Sequence, residues 1–270
     1  MLELRNIRKT FEKGSQGEIP ALQGINLSIE EGSFVVILGL NGSGKSTLLN
    51  AVAGGFPIDA GKIQLDGTDI TSWQEYKRAA IISRVFQNPF SGTAAGLSIA
   101  ENLALASRRG LPRGLHRALP LLKKSELKQI ITQLKLGLEH RIDHAVGTLS
   151  GGQRQALTLL MATIIKPRLL LLDEHTAALD PKSADLILRL SDEIVRRDNV
   201  TTMMVTHSME QAALFGDRLI MMHKGKVVYD FYGASKSRLK ANELLKRFEE
   251  IRKSDQLDEK TADYLRRNYI

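Results

Sequence analysis

The sequence predicts an α/β fold: a parallel sheet flanked by helices, an antiparallel β part, and a helical segment inserted in the middle. Three observations carry this. The unbroken apolar runs FVVIL (34–38), RLLLLD (168–173) and TTMMVTH (201–207) have the pattern of strands covered on both faces. Segments with apolar residues at helical spacing alternate with them. Shorter runs near the start alternate apolar and polar residues, as half-buried antiparallel strands do.

Taken in order, Leu2 and Leu4 alternate with polar residues, and so do Ile25, Leu27 and Ile29. FVVIL runs into glycines and then STLLNAVAGG, where Leu48, Leu49 and Val52 fall on one helical face. Gly54 and Gly55 can stop that helix. KIQLDGTDI (62–70) reads as a hairpin turning at Asp66-Gly67. From about 95 to 165 the pattern is helical, with Ile99, Leu103 and Ala106 on one stripe and Leu127, Ile130, Ile131 and Leu134 on another. Between the stripes, RRGLPRGLHRALPLLKK (108–124) is basic and broken by Gly and Pro, a loop with a short helix. A further helix opens at Pro181, a favoured first-turn residue. RLIMMHKGKVVYDF (218–231) is a hairpin turning at Lys224-Gly225. The last 35 or so residues are charged and helical, with Leu244, Phe248 and Ile251 on one stripe.

Composition narrows the function. The 270 residues, 43% hydrophobic, allow a large core in one big or two small domains. The absence of cysteine excludes disulfides, thiolate metal sites and a cysteine nucleophile. The opening MLELRNIRKT has no apolar stretch of the signal-peptide kind. No run approaches the roughly 18 apolar residues of a membrane helix, so the chain is expected to be soluble by itself. A net charge of +8 suits phosphorylated ligands, nucleic acid or anionic headgroups, and equally plain solubility.

Two stretches carry chemistry. GLNGSGKST (39–47) satisfies G-x-x-x-x-G-K-[ST] between a buried strand and a helix, the context a phosphate-binding loop requires. Its glycines let backbone N–H groups wrap an anion, Lys45 supplies a cation, and Ser46 offers a hydroxyl to Mg²⁺. The alternative is a glycine-rich turn that binds nothing. LLLLDEHTAALDP (169–181) ends a buried strand in two adjacent acids. Asp173 can hold Mg²⁺ and Glu174 can orient and polarise an attacking water. Without the loop, an exposed acid pair would be the simpler reading.

LSGGQ (149–153) then fixes the kind of nucleotidase. With it, residues 1 to 232 resemble an ABC transporter ATP-binding subunit of the bacterial importer type. The resemblance implies a P-loop NTPase core with an antiparallel β subdomain and a helical subdomain at about 88–165, and leaves 233–270 as a C-terminal extension. It also implies that Phe11 stacks on adenine, and that Gly39, Asn41, Gly42, Ser43, Gly44, Lys45, Ser46 and Thr47 hold the nucleotide. Asp173, Ser46 and Gln87 would serve Mg²⁺, while Glu174, His207 and Gln87 act on the attacking water and γ-phosphate. Ser150, Gly151, Gly152 and Gln153 would work in trans with Asp180, on ATP bound by the other copy of a homodimer. The N-terminus of the helix opened by Gly151 and Gly152 suits that anion.

Further implications are separate membrane permease subunits, a separate substrate-binding protein, and a peripheral position on the cytoplasmic face of the membrane. The rival class is a soluble ABC protein acting on nucleic acid or ribosomes. The basic stretch Arg108 to Lys124 lacks the interleaved aromatics that stack on bases, so no nucleic-acid partner is expected. The stretches DEHTAALDPK, SGTAAGLSIAENLALA and ANELLKRFEEI resemble a subgroup described as carrying tryptophan, tyrosine or related amino acids. One departure stands out. His175 follows Glu174 where the family usually has proline, which cannot do acid–base chemistry. The imidazole is therefore expected to turn aside from the reaction.

Overall fold

The computed structural model describes residues 1–251 and 253, apart from 16 and 112–122. Most of the basic stretch 108–124 and the end of the charged C-terminal segment lie outside the described residues. The chain opens with β1 (Leu2–Phe11) and β2 (Ile19–Ile29), an antiparallel pair. β3 (Phe34–Gly39) is buried at all six positions and feeds α1 (Lys45–Ala53), which Gly54 ends at φ 84°. β4 (Ala60–Leu65) and β5 (Thr68–Asp69) join through Asp66-Gly67, both at positive φ, as a tight two-residue hairpin turn demands. A short α2 (Glu75–Arg78) leads to β6 (Ile82–Val85).

Among the described residues, helices then follow: α3 (Ile99–Ala106), α4 (Lys124–Thr132) and α5 (Gly151–Thr163). The chain returns to the sheet through β7 (Leu169–Asp173), α6 (Pro181–Arg197), β8 (Thr202–Thr206) and α7 (Met209–Leu214). β9 (Arg218–His223) and β10 (Lys226–Tyr232) form the hairpin at Lys224-Gly225. α8 (Ala234–Ser237) and a helix over 241–251 complete the described chain.

The strands form two sheets, β2-β1-β4-β5 and β10-β9-β3-β8-β7-β6. The first is antiparallel throughout, and the second is parallel except at β10. Period-two alternation between two covered faces explains why the central strands β3, β7 and β8 are buried at every position. Val36, Leu38, Leu170, Leu172 and Met204 face one core, shared with α5 and α6. Val35, Ile37, Leu169, Leu171 and Met203 face the other, shared with α1 and with Leu2, Leu4 and Ile25 of the antiparallel sheet. The stripe predicted near the C-terminus docks as well: Leu244 and Phe248 are buried in the first core and Ile251 packs against it.

This sheet order positions the site. β3 lies next to β8, and β8 next to β7. The loop after β3 and the acids after β7 therefore emerge at the same edge, the C-terminal ends of parallel strands, where open α/β sheets place their ligands.

Candidate nucleotide site

The loop after β3 is built as a cradle. Lys45 turns back on it, with Nζ donating to the carbonyls of Gly39 at 2.8 Å and Leu40 at 3.0 Å. Burial pushes this ammonium below the usual lysine range, against the opposing pull of Glu174 and Asp173. Gly44 adopts φ 97°, and a Cβ there would come within 2.5 Å of the Ala21 carbonyl. Only glycine fits that approach. The Ser43 hydroxyl is buried without a partner, an unmet polar atom inside the loop. Asn41, Gly42 and Ser46 are exposed, Gly39 is buried and Thr47 is half-buried.

β7 delivers the two acids differently. Asp173 remains in the strand, opposite Val205 of β8. Glu174 still donates its backbone N–H to the Val205 carbonyl at 3.1 Å, but it takes φ 44°. A left-handed glutamate is a local strain of the kind held at functional sites. The Glu174 carboxylate meets the His207 imidazole, Oε2 to Nδ1 at 3.3 Å. The glutamate side chain is only 16% exposed, whereas that of His207 is 56% exposed and open to a ligand. Gln211 holds the two segments together, accepting from Thr206 Oγ1 at 2.7 Å and donating to Thr176 Oγ1 at 3.3 Å.

Lys45, Asp173, Glu174 and His207 thus come together. Gln87 is exposed just after β6, at the entry to the helical stretch. Ser150 caps α5: its hydroxyl accepts from Gln153 N–H at 3.2 Å, and Gln153 Oε1 accepts from Ser150 N–H at 3.2 Å. Around Gly151 and Gly152 the nearest foreign atoms are those of Pro89, Leu179 and Ser183, none of them in the loop 39–47. Asp180 caps α6 by accepting from Ser183 N–H at 3.0 Å, and hydrogen bonding from Ser183, by its side chain first and its backbone second, holds the carboxyl below the usual range. His175 is buried, with Nε2 3.0 Å from Ser191 Oγ on α6 and its carbonyl taken by Gln155 Nε2 at 2.7 Å. The imidazole sits in the core beside α6, as the bystander reading expects.

Three participants were not legible in the sequence. Phe56 packs edge-to-face on Phe11, centroids 5.3 Å apart, with Lys9 Nζ above both rings. Gln155, wholly buried, joins α5 to the Phe86 carbonyl at 2.9 Å as well as to His175. Arg84 pairs with Asp173, Nη2 to Oδ2 at 2.5 Å. Only Arg84 left a signal, a cation in a short apolar strand, and a buried cation needs a partner.

With the cradle in place, the comparisons with known proteins converge. The family profile described as ABC transporter matches residues 22–177. The tyrosine transport ATP-binding protein of Clostridioides difficile is 45% identical over 249 residues, 92% of this chain and 99% of that protein. The phosphonates import ATP-binding protein PhnC of Treponema denticola is 33% identical, over 85% of this chain and 89% of its own. Among solved structures, the dimeric ATP-binding cassette MJ0796 in a post-hydrolysis state bound to ADP and Pi superposes with a TM-score of 0.72. It shares 29% identity, over 86% of this chain and 98% of that one. The chain belongs to the ABC transporter family. Within it, the chain is an ATPase, an ATP-binding subunit of the importer type. Among the described residues no helix is long and apolar enough to cross a membrane.

Proposed function

We propose that two copies of this chain face each other head to tail, hydrolyse ATP at two shared sites, and drive import of an amino acid through separate permease subunits. The observation that carries the dimer is the separation of the site into two sets. Lys45, Asp173, Glu174 and His207 gather at the strand ends, while Gly151 and Gly152 have Pro89, Leu179 and Ser183 as their nearest neighbours instead of the loop. A second copy would supply the missing wall. The relative MJ0796 is described as dimeric, which supports this reading.

In this assignment the loop 39–47 binds the phosphates, Phe11 meets the adenine, and Glu174 orients the attacking water with His207 beside it. Mg²⁺ fits the donors available, the Ser46 hydroxyl, the Gln87 amide and the Asp173 carboxylate, because it prefers hard oxygen ligands. When bound it supplies charge neutralisation at the phosphates. Asp180 and the residues Ser150 to Gln153 serve the partner's nucleotide.

The permease has a candidate seat. A groove of about 250 Å³ beside the Gln87 entry is lined by Ala53, Glu75, Ala79, Phe86 and Arg109 among others. The cassette would be residues 1–232, with the insert at about 88–165 meeting the permease and 233–270 as an extension. Such an assembly would hold the chain peripherally on the cytoplasmic face of the membrane, with a separate binding protein delivering solute. The amino-acid substrate rests on the tyrosine transport relative. Mixing subunits tests the shared site. A Lys45→Ala subunit paired with a Ser150→Arg subunit retains one intact site, so ATPase activity should return on mixing. Turnover by a monomer, independent of concentration, would defeat the head-to-tail dimer. Uptake of labelled tyrosine by cells carrying the chain and its permease, abolished by Glu174→Gln, tests the substrate.

A further inference from the structure

Arg84 is the one charged residue of β6, flanked by Ser83 and Val85, both buried. Its side chain is 17% exposed, and the guanidinium is anchored on three sides. Nη2 donates to Asp173 Oδ2 at 2.5 Å and Nη1 donates to Asn50 Oδ1 at 2.6 Å. Its Cζ lies 4.8 Å from the centroid of the Phe86 ring. Nε is buried with no partner. Asn50 lies one helical turn after Ser46 on α1. The cation therefore approaches Asp173 beside the α1 turn that follows Ser46, outside the phosphate loop.

This contact creates a competition. Asp173 is the acid assigned to the divalent cation, yet one of its oxygens is already committed to a full positive charge in a partly dry setting. Two cations drawing on one carboxylate weaken each other's hold. A lone Mg²⁺ also gives up its waters reluctantly and needs anionic oxygens in return. With the Asp173 charge cancelled, the protein by itself offers few of them. Nucleotide phosphates bring the rest.

We propose that Arg84 is a positioning residue that neutralises Asp173 in the nucleotide-free chain, so that a divalent cation is retained only together with nucleotide. This rests on the assignment of Asp173 to the metal. Asn50 and Phe86 hold the guanidinium in place, so the counter-charge is fixed and does not wander as a surface arginine would.

Mn²⁺ binding to the full chain, followed by paramagnetic resonance, tests this without relying on turnover. Without nucleotide, Arg84→Gln should bind Mn²⁺ at least about tenfold more tightly than the unaltered chain, since a nearby like charge is removed. Arg84→Lys, which keeps the charge, should stay within about threefold of it. Asn50→Ala, which only loosens the anchor, should tighten binding by a smaller factor, and it carries the test if Arg84→Gln does not fold. No tightening in either variant, including no detectable binding in any form, would overturn the proposal. So would an Arg84→Lys protein that behaves like Arg84→Gln. Failure of the unaltered chain to bind Mn²⁺ even with ATP would point elsewhere: it would remove the site assignment on which the proposal rests.

Discussion

The His207 imidazole and the Glu174 carboxylate stand 3.3 Å apart across the ends of two neighbouring parallel strands. The pairing depends on sheet order. β8 lies beside β7, so residues separated by 33 positions in the chain leave the sheet together. Glu174 is held at φ 44° with its N–H on Val205, which fixes where its carboxylate points. Glu174→Gln keeps the shape and removes the carboxylate proposed to orient the attacking water. It should slow hydrolysis by roughly two to four orders of magnitude, with ATP binding intact and an ATP-bound dimer accumulating on size-exclusion chromatography. Near-normal phosphate release would remove Glu174 from the mechanism. His207→Ala should fall in the same direction, because the exposed imidazole is the group placed to meet both Glu174 and a ligand.

Lys45 should behave differently. Its ammonium is held on two loop carbonyls and partly desolvated, so it is prepared to meet an anion. Lys45→Ala should weaken nucleotide binding itself, by about tenfold or more, as expected for losing a charge-assisted contact. Titration with a fluorescent ATP analogue checks this. Gly44→Ala should do the same and also destabilise the fold, since its Cβ would meet the Ala21 carbonyl at 2.5 Å at a backbone φ of 97°.

Local signals made most of the fold legible. The loop motif, the helix that Gly54 ends, and the turns at Asp66-Gly67 and Lys224-Gly225 are written in adjacent residues. The apolar runs at 34–38, 168–173 and 201–207 announced buried strands because both sheet faces are covered. What stayed hidden depends on strand order. Arg84 and Asp173 are 89 positions apart and meet because β6 pairs with β7. Phe56 reaches Phe11 across 45 residues of sequence through the antiparallel sheet, and no periodicity marks it. The proline that the family usually carries at this position suggested that His175 would turn aside, and the structure adds where it goes, onto Ser191 of α6.

Gln155 is the tie between these parts. One buried amide group donates to Phe86, beside Gln87, and to His175, beside Glu174. Gln155→Leu should leave both carbonyls without a partner and cost about 2–4 kcal/mol of stability. It should also lower turnover more than nucleotide binding, because it frees the segments that carry Gln87 and Glu174 while leaving the loop 39–47 untouched. Urea unfolding and a comparison of kcat with ATP affinity measure the two effects. A stability loss with kcat unchanged would make Gln155 purely structural.

His175 gives the pH dependence. Burial lowers its pKa from the model-peptide value of 6.5 to about 4. The folded chain thus keeps the imidazole neutral at pH values where the unfolded chain has already taken up a proton. Protons bound preferentially by the unfolded state lower stability as pH falls. The contribution is intact above about pH 7 and is lost progressively between pH 6.5 and about 4, on the order of 2 kcal/mol between pH 7 and pH 5. His175→Ala should therefore be less stable at pH 7, through the cavity it leaves beside Ser191, yet lose less further stability on acidification. Urea unfolding at pH 7 and pH 5 reads this directly, and an equal acid loss in both proteins would contradict the burial argument. Turnover is the second half of the test. An imidazole committed to Ser191 takes no part in water activation, so His175→Ala should keep its ATPase rate within about tenfold, roughly 1.4 kcal/mol of barrier. A fall as deep as that of Glu174→Gln would show that the imidazole leaves the core during the reaction.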